Sequence, residues 1–296
     1  MFVCACGGGT TVVAVADGGN GSVLDFVAGV ATIVGGVVAA AVIVGALLGL
    51  GRRWLGNRWD HYRRLRRLGV NAQLDFFSSV LGQPPAIRRS LTATVDALAP
   101  DGDNLVARDE TFQECIYVHP YYFVDALIDD EQTVVAFAVT TRTKRFRPTL
   151  TSAPKESHPR LVVRLGATRF ADTAVNPERL VASLGARRFF YSEVYYLGNP
   201  GHYLSFACGV SDAGHFAWDR VRVPLDTEAG EYDFDHRINC AQDDTTLEQP
   251  LIRSFRGRAV INTWAVIGGP FSPLHDANPV KIIFGPDHDH VRTVAL

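Results

Sequence analysis

The chain contains a 26-residue stretch without a charged side chain, FVAGVATIVGGVVAAAVIVGALLGLG, at Phe26–Gly51. An α-helix of this length would extend roughly 39 Å, which exceeds the ~30 Å hydrocarbon layer of a bilayer. A signal peptide is the competing interpretation, but no positively charged segment precedes the stretch, and signal peptides have an apolar region of only about 7–15 residues. The stretch therefore predicts a transmembrane helix at residues 23–51, preceded by a flexible tail at residues 1–22.

Basic and aromatic residues follow this stretch directly and give it a direction. No Lys or Arg precedes it, whereas seven Arg lie between Arg52 and Arg67. Because positively charged flanks stay in the cytoplasm, the N-terminus is predicted outside and residues 52–296 inside, in a single-pass protein of the cell membrane. We predict a basic juxtamembrane helix at residues 52–69. Its predicted membrane-interface residues are Arg52, Arg53, Trp54, Trp59, Arg63, Arg64, Arg66 and Arg67.

Within the predicted transmembrane helix, Gly45 and Gly49 form a G-x-x-x-G pattern. Small residues at this spacing let two helices approach closely, so a homo-oligomer through the membrane helix is one hypothesis. An apolar segment rich in Gly and Ala also contains such spacings by chance, and that alternative stays open.

The chain beyond Leu68 carries 22 basic and 28 acidic residues, a net charge near −6. Nucleic acid is therefore not expected as a partner, since binding phosphates requires a basic face. The five cysteines include no C-x-x-C pair, which removes support for zinc-ribbon and thioredoxin-like sites. Cys115, Cys208 and Cys240 are interpreted as small buried residues.

The soluble part begins with a helical pattern and then changes to strand patterns. Leu74, Phe77, Ser78 and Leu81 form an apolar stripe that Gly82 should end. Phe112–His119, Tyr121–Ile128 and Val134–Arg142 are β-branched and aromatic runs that predict strands. These segments make a first α+β unit at residues 70–147, followed by a proline-containing linker at residues 148–159.

A second α+β unit is predicted at residues 160–296. Asn176–Gly185 has an N-cap residue, Pro at the first helical position and a final Gly, which together predict a helix. The strands predicted after it are Phe189–Leu197, Tyr203–Val210, His215–Val223, Ala259–Ile267, Val280–Phe284 and Val291–Ala295. The fold class is thus α+β: a transmembrane helix and then a mainly antiparallel β-sheet domain with few helices.

The units could be two helix-plus-meander repeats. Glu114 stands three residues before Tyr117, and Glu193 three before Tyr196. The alternative is that helix-plus-meander units are common and the match is accidental.

The motif Leu81-Gly82-Gln83-Pro84, followed by a meander over residues 72–145, resembles the small repeat of SmpA/OmlA-type envelope lipoproteins. The tandem form of that repeat is the β-lactamase-inhibitor-protein fold, and the resemblance implies a curved sheet that binds a partner protein. This chain departs from those lipoproteins in lacking a lipid-attachment signal. The membrane segment, its basic flank and the run at residues 136–142 also resemble an uncharacterised family of single-pass actinobacterial membrane proteins, which implies no activity.

Few residue patterns point to chemistry. Asp287-His288-Asp289-His290 and the group at residues 233–236 resemble metal ligands but are better explained as solvated turns, so no metal and no cofactor are predicted. No nucleotide-binding glycine motif or nucleophile motif occurs, and no catalytic residue is assigned. A hydrolase using His202 or His215 beside Asp212 remains an alternative, although an enzyme is not the preferred interpretation.

Tyrosines are concentrated on the predicted strands. Outward-facing tyrosines make protein-binding surfaces, although the same residues can instead fill a core. The candidate binding residues are Tyr117, Tyr122, Tyr195, Tyr196 and Tyr203. The sequence thus favours a membrane-anchored, cytoplasmic-facing binding or sensor domain with a protein partner, and the alternatives are a membrane-tethered hydrolase and a structural membrane oligomer.

Overall fold

The computed structural model describes residues 58–98, 105–152, 160–185, 188–197, 204–215, 247, 250–268, 285–286 and 291. The chain divides into the compact units Met1–Trp59 and Asp60–Leu296. Among the described residues, no helix is long and apolar enough to cross a bilayer. The predicted tail and membrane helix, together with Arg52, Arg53 and Trp54, lie outside the described residues.

The described elements are mostly strands. The helical segments are α1 (residues 58–65), α2 (Leu74–Leu81), a 3₁₀ turn (Phe170–Asp172) and α3 (Pro250–Arg258). The strands are β1 (Ile87–Leu98), β2 (Leu105–Val118), β3 (Tyr122–Ile128), β4 (Val134–Thr141), β5 (Thr149–Thr151), β6 (Val162–Arg164), β7 (Arg179–Gly185), β8 (Arg188–Leu197), β9 (Leu204–Ser211) and β10 (Thr263–Ile267). The predicted mainly antiparallel sheet with few helices is confirmed.

The described strands form an eight-stranded sheet in the order β1-β2-β3-β4-β10-β9-β8-β7, and β5 pairs with β6 in a separate hairpin. Every neighbouring pair in the large sheet is antiparallel. Strands β1–β4 form a first meander and β7–β10 a second, and the meanders join where β4 pairs with β10. Residues 70–147 and 160–296 therefore contribute to one sheet.

Helix α2 forms as the sequence predicts. It buries Leu74, Phe77, Val80 and Leu81 on one side, and Gly82 ends it in the left-handed conformation with φ 74°. A residue with a side chain is disfavoured in that conformation, which explains why glycine stands there.

Both faces of the sheet are packed. On the helix-covered face, the central strands contribute to a core shared with α1, α2 and α3, and their residues there are Val124, Ala126, Phe137, Val139, Phe206, Cys208, Trp264 and Val266. On the opposite face the same strands place smaller side chains, including Ala136, Ala138, Ala207 and Ala265. Strands β3 and β4 are consequently buried at every position, which explains why their sequences are continuous apolar runs.

The predicted helix at Asn176–Gly185 is wrong, because Arg179–Gly185 is strand β7. Strand β7 pairs with β8, so that Leu180 packs on the helix-covered face and Val181 on the opposite one. Neighbouring residues can reach opposite faces in a strand, and the tertiary pairing outweighs the cap signals at the ends of the segment. The strands predicted at Val280–Phe284 and Val291–Ala295 fall largely outside the described residues.

The spacing match used for the repeat does not correspond to equivalent positions. Glu114 pairs with Leu127 on the opposite face, whereas Glu193 pairs with Leu180 on the helix-covered face. The shared Glu-to-Tyr spacing is therefore not evidence for a repeat.

Candidate functional site

A cleft of about 390 Å³ opens on the helix-covered face where the meanders join. Its lining is drawn from α1 and the turn after it, from β4 and β10, and from the β5–β6 hairpin. The lining residues are Leu65, Arg66, Leu68, Phe137, Val139, Thr149, Leu150, Thr151, Arg160, Trp264 and Val266. Ligand pockets span ~300–1,000 Å³, so this cleft lies at the small end of that range.

The floor of the cleft is an apolar platform made of cross-strand pairs. Phe137 pairs with Val266, and Val139 pairs with Trp264. Directly opposed residues point to the same face of a sheet, so the four side chains form one surface. Phe206 supports Trp264 from the neighbouring strand, with the ring centroids 5.5 Å apart.

The mouth of the cleft is polar and basic. Arg66, Thr149 and Thr151 are exposed, and Arg160 is half-buried. Arg160 donates from Nε to Oγ1 of Thr151 over 2.8 Å. The described lining includes no Asp or Glu, so the electrostatic potential at the mouth favours an anion.

Helix α1 is one wall of the cleft and is attached to the domain at several points. Arg64 donates from Nη1 to the carbonyl oxygen of Leu81 over 2.7 Å, at the end of α2. The ring of Tyr62 stacks on Phe146 at 4.8 Å, and Leu65 is buried in the core. These contacts fix where the cleft-lining side chains of α1 lie.

A histidine cluster connects α1 to the turn between β2 and β3. Nδ1 of His61 lies 3.1 Å from the hydroxyl oxygen of Tyr122, and the rings of His61 and His119 are 5.5 Å apart. Burial, then His61 and Arg64, lower the pKa of His119 to about 4. Burial and Arg64 lower the pKa of His61, and Asp60 opposes that shift. Both rings are therefore neutral at pH 7, and Nε2 of His119 has no hydrogen-bond partner within the described part of the chain.

A buried carboxylate in the second meander is surrounded by donors. Oε1 of Glu193 accepts from the hydroxyl of Tyr191 and from Nε of Arg256, at 2.7 and 2.6 Å. Oε2 accepts from Tyr195 and from Nη2 of Arg256, at 2.6 and 3.4 Å. Burial raises the pKa of Glu193 against the opposing effect of Arg256. Four donors match an ionised carboxylate, so this network joins α3 to β8 as a structural link.

The first meander buries a carboxyl beside another carboxyl. Asp125 is hydrogen-bonded to Glu114, which is in turn held by Arg89 through two contacts. Burial and then Glu114 raise the pKa of Asp125 well above its usual value. Oδ2 of Asp125 has no hydrogen-bond partner within the described residues. Asp125 therefore keeps its proton to a higher pH than an ordinary aspartate does.

The candidate binding tyrosines are mostly core residues. Tyr117, Tyr122 and Tyr195 have 0% of their surface exposed, so they do not form an exposed binding surface. They lie on the helix-covered face, where α1, α2 and the 3₁₀ turn cover them. Tyr196 lies on the opposite face and is half-buried, and Tyr203 falls outside the described residues.

The candidate membrane-interface residues divide between the surface and the domain. Trp59, Arg63, Arg66 and Arg67 are exposed, which leaves a membrane contact open to them. Arg64 instead donates to α2, as described above. Its role is to hold α1 against the domain.

The remaining chemical candidates form no site within the described residues. Among these, no group of three or more His, Cys, Asp or Glu could hold a metal ion. Cys115 and Cys208 are free and buried as predicted, and burial raises the pKa of the Cys115 thiol to about 11, so that thiol stays protonated. His215 is exposed after β9, while His202, Cys240 and the acidic clusters at residues 233–236 and 287–290 lie outside the described chain.

The sequence did not identify the cleft. Its floor residues belong to strands that were predicted, but the pairing of β4 with β10 joins segments more than a hundred positions apart, as between Thr140 and Thr263. A helical signal in residues 65–68 and an arginine directly after the predicted linker were the only local hints. Comparisons with protein families, with curated proteins and with solved structures found no match.

Proposed function

We propose that this protein is a membrane-anchored binding or sensor domain that holds a small ligand in the cleft. The observation that carries the proposal is the apolar platform of β4 and β10, which is bordered by polar and basic side chains. An apolar pocket with a few convergent polar groups is the usual form of a ligand site. Among the described residues, the buried carboxyls and histidines are separate from the cleft lining, which favours binding over catalysis.

The membrane anchor is the sequence-based part of the proposal. Phe26–Gly51 is long enough to span a bilayer, and the arginines after it favour a cytoplasmic domain. The exposed positions of Arg63, Arg66 and Arg67 on and after α1 are consistent with attraction to anionic headgroups.

Helix α1 gives the domain a route for reporting an occupied cleft. It supplies Leu65 and the turn after it supplies Leu68, so a ligand on the floor contacts this segment. The same segment follows the predicted anchor in sequence. A ligand that packs against Leu65 and Leu68 would favour the described position of α1 over one in which the helix is detached from the domain. The size of that shift is set by how much more tightly the ligand binds when α1 is in the described position.

A repeated architecture also belongs to this proposal. The strand order is mirrored about the pair β4–β10, which supports two related meanders. Helix α2 precedes β1 whereas α3 lies between β9 and β10, so the helices occupy different places in the two halves. An experimental structure in which β1–β4 cannot be superposed on β7–β10 by a half-turn about the sheet normal would exclude the repeat.

The ligand-binding part is tested by filling the cleft. The full chain in phosphatidylcholine nanodiscs is incubated with a cell extract, and retained small molecules are identified by mass spectrometry. Val266→Trp places bulk on the floor, and Phe76→Trp is the control because Phe76 is 41% exposed on α2 and is not a lining residue. We expect a compound that the wild type and Phe76→Trp retain and that Val266→Trp loses. The same set of retained compounds in all three proteins would refute the cleft as a ligand site.

The anchor is tested separately. The full chain should remain in the membrane fraction after alkaline carbonate washing, and a variant lacking residues 23–51 should be released. Release of the full chain would contradict the membrane-anchored part of the proposal and leave the cleft test intact.

A further inference from the structure

The floor of the cleft restricts what can reach it. Phe137, Val139 and Val266 offer only hydrocarbon surface, Trp264 adds its ring with a single N–H donor, and the walls add the side chains of Leu65 and Leu150. A polar group placed against the hydrocarbon side chains would lose its hydration without gaining a partner. The part of a ligand that occupies the floor is therefore hydrocarbon.

The mouth of the cleft is suited to an anionic group. Arg66 and Arg160 bring guanidinium groups to the lining, and Thr149 adds an exposed hydroxyl. Guanidinium groups bind carboxylates and phosphates through paired hydrogen bonds. Because no acidic residue occurs in the described lining, nothing there repels an anion.

We infer that the cleft binds a single-chain amphiphile, with its hydrocarbon chain on the β4–β10 floor and its anionic head at Arg66 and Arg160. The inference rests on the proposed function and names the ligand class for the same site. The volume of about 390 Å³ suits one chain rather than the paired chains of a bilayer phospholipid. A free fatty carboxylate and a single-chain lipid phosphate both combine one hydrocarbon chain with an anionic head.

The predicted membrane anchor supports such a ligand. Arg66 stands 15 residues after Gly51. Single-chain amphiphiles are concentrated at membrane surfaces, because their chains partition into the bilayer, and the proposed anchor would keep the domain at such a surface.

The test measures quenching of Trp264 by bromine carried on the end of a hydrocarbon chain. Trp54, Trp59 and Trp218 are replaced by Phe in the full chain, which is then placed in phosphatidylcholine nanodiscs. The probes are terminally brominated dodecanoate, the matching uncharged alcohol, and a lysophosphatidate that carries the same brominated chain. We expect saturable quenching by at least one of the anionic probes, with at least ten-fold weaker binding of the alcohol.

Charge variants test the role of the arginines. Arg66→Gln combined with Arg160→Gln should weaken binding of the anionic probes at least ten-fold and leave binding of the alcohol unchanged. Arg63→Gln is the matched control, because Arg63 is exposed on α1 and is not a lining residue. An unchanged midpoint of thermal unfolding establishes that each variant is folded, and the two single variants replace the double one if it is not.

The outcomes separate this inference from the proposed function. Tighter binding of the lysophosphatidate indicates a lipid source, tighter binding of dodecanoate indicates a free acid, and either result supports the ligand class. Equal affinity for acid and alcohol, or affinity that ignores both arginines, overturns it. If such charge-independent binding is still abolished by Val266→Trp, the cleft remains a ligand site and only the ligand class is wrong.

Discussion

Both meanders of the sheet bury carboxyl groups, and Glu193 and Asp125 lie in opposite surroundings. Glu193 in the second meander has no exposed surface and accepts four hydrogen bonds, two of them from Arg256. Asp125 in the first meander is 3% exposed and its neighbour is another carboxyl, Glu114. Burial is thus nearly the same at both sites, and the supply of donors differs. The comparison teaches that donors rather than depth decide which of these groups carries a charge.

The largest effect is expected from removing the cation of the second meander. Arg256→Met leaves Glu193 buried without its charged partner, which should lower the free energy of unfolding by about 3–5 kcal/mol. Urea unfolding of the full chain in nanodiscs measures this change. Arg253→Met is the control, because Arg253 is exposed on the same helix and its loss should change stability by no more than about 0.5 kcal/mol.

A further variant tests the reason for that effect. Combining Glu193→Leu with Arg256→Met removes both charges and should recover most of the lost stability. A double variant as unstable as Arg256→Met alone would mean that packing, and not an unpaired charge, causes the loss.

The next effect concerns acid sensitivity in the first meander. The pKa of His119 is lowered to about 4 when folded, against ~6.5 when unfolded. The unfolded state therefore binds more protons between these values, and stability falls as the pH drops from about 6.5 to 4. His119→Phe keeps the stacking on Tyr122 and should reduce this loss by roughly 2 kcal/mol. Urea unfolding at pH 7 and pH 4.5 measures it.

The exposed His215 provides the control for that experiment. His215→Phe should leave the pH dependence of the wild type unchanged, because its side chain lies outside the core. Equal pH dependence in wild type and His119→Phe would show that His119 is not kept neutral by its surroundings.

An effect of opposite sign is expected at Asp125. Its pKa is raised in the folded state, so the native protein holds a proton that the unfolded chain releases above pH ~4. Stability contributed by this group is present at low pH and declines as the pH rises toward the folded pKa. Asp125→Asn should therefore gain stability relative to the wild type as the pH rises from 4 to 7. No relative gain over that range would mean that Asp125 is ionised in the fold.

The pH responses of His119 and Asp125 oppose each other below pH ~6.5, because stability rises with pH for the first and falls for the second. A nearly flat pH profile of the wild type therefore does not argue against either group. Only the single variants separate the two groups, because the double variant removes both contributions at once.

The smallest effects compare glycines in the helices of the two halves. Gly82→Ala forces a side chain into the left-handed conformation, with its Cβ 2.8 Å from Nη1 of Arg64, and should cost about 1–2 kcal/mol. Gly257 lies in α3 with nothing within 4 Å of its Cβ position, so Gly257→Ala should stabilise by about 0.5–1 kcal/mol. Thermal unfolding checks both signs. A stabilising Gly82→Ala would contradict the described end of α2.

The local parts of the fold could be predicted from sequence. Helix α2 and strands β3 and β4 have uninterrupted periodicity or apolar runs with clear ends at Gly82 and residues 129–132. Strand β7 could not be predicted. The capping residues Asn176 and Gly185 indicate a helix locally, whereas the strand is set by its pairing with β8. Helix α3 was not predicted, because its apolar residues Leu251, Ile252 and Phe255 are few and its sequence includes Gly257.

The site was less predictable than the fold. Successive residues of a strand point to opposite faces of the sheet. When both faces are packed, the sequence does not show which tyrosines are exposed, and Tyr117 and Tyr195 are in fact buried. The cleft depends on which strands become neighbours. Nothing in the sequences of residues 137–139 and 264–266 indicates that these two segments pair. Arg160 directly follows the predicted linker, and in the fold it lies in the connection between β5 and β6, the hairpin that borders the cleft.

The pairing of β4 with β10 also has a consequence for how the chain folds. Thr140 and Thr263, which this pair brings together, are 123 residues apart in sequence, whereas β1–β4 pair through short connections. The first meander can therefore assemble during synthesis while β4 is still an exposed edge, open to pairing with another chain. We expect amides of β10 to gain hydrogen-exchange protection after those of β3 in a refolding experiment. In a cell, the interval before β10 emerges is when this protein would most need a chaperone.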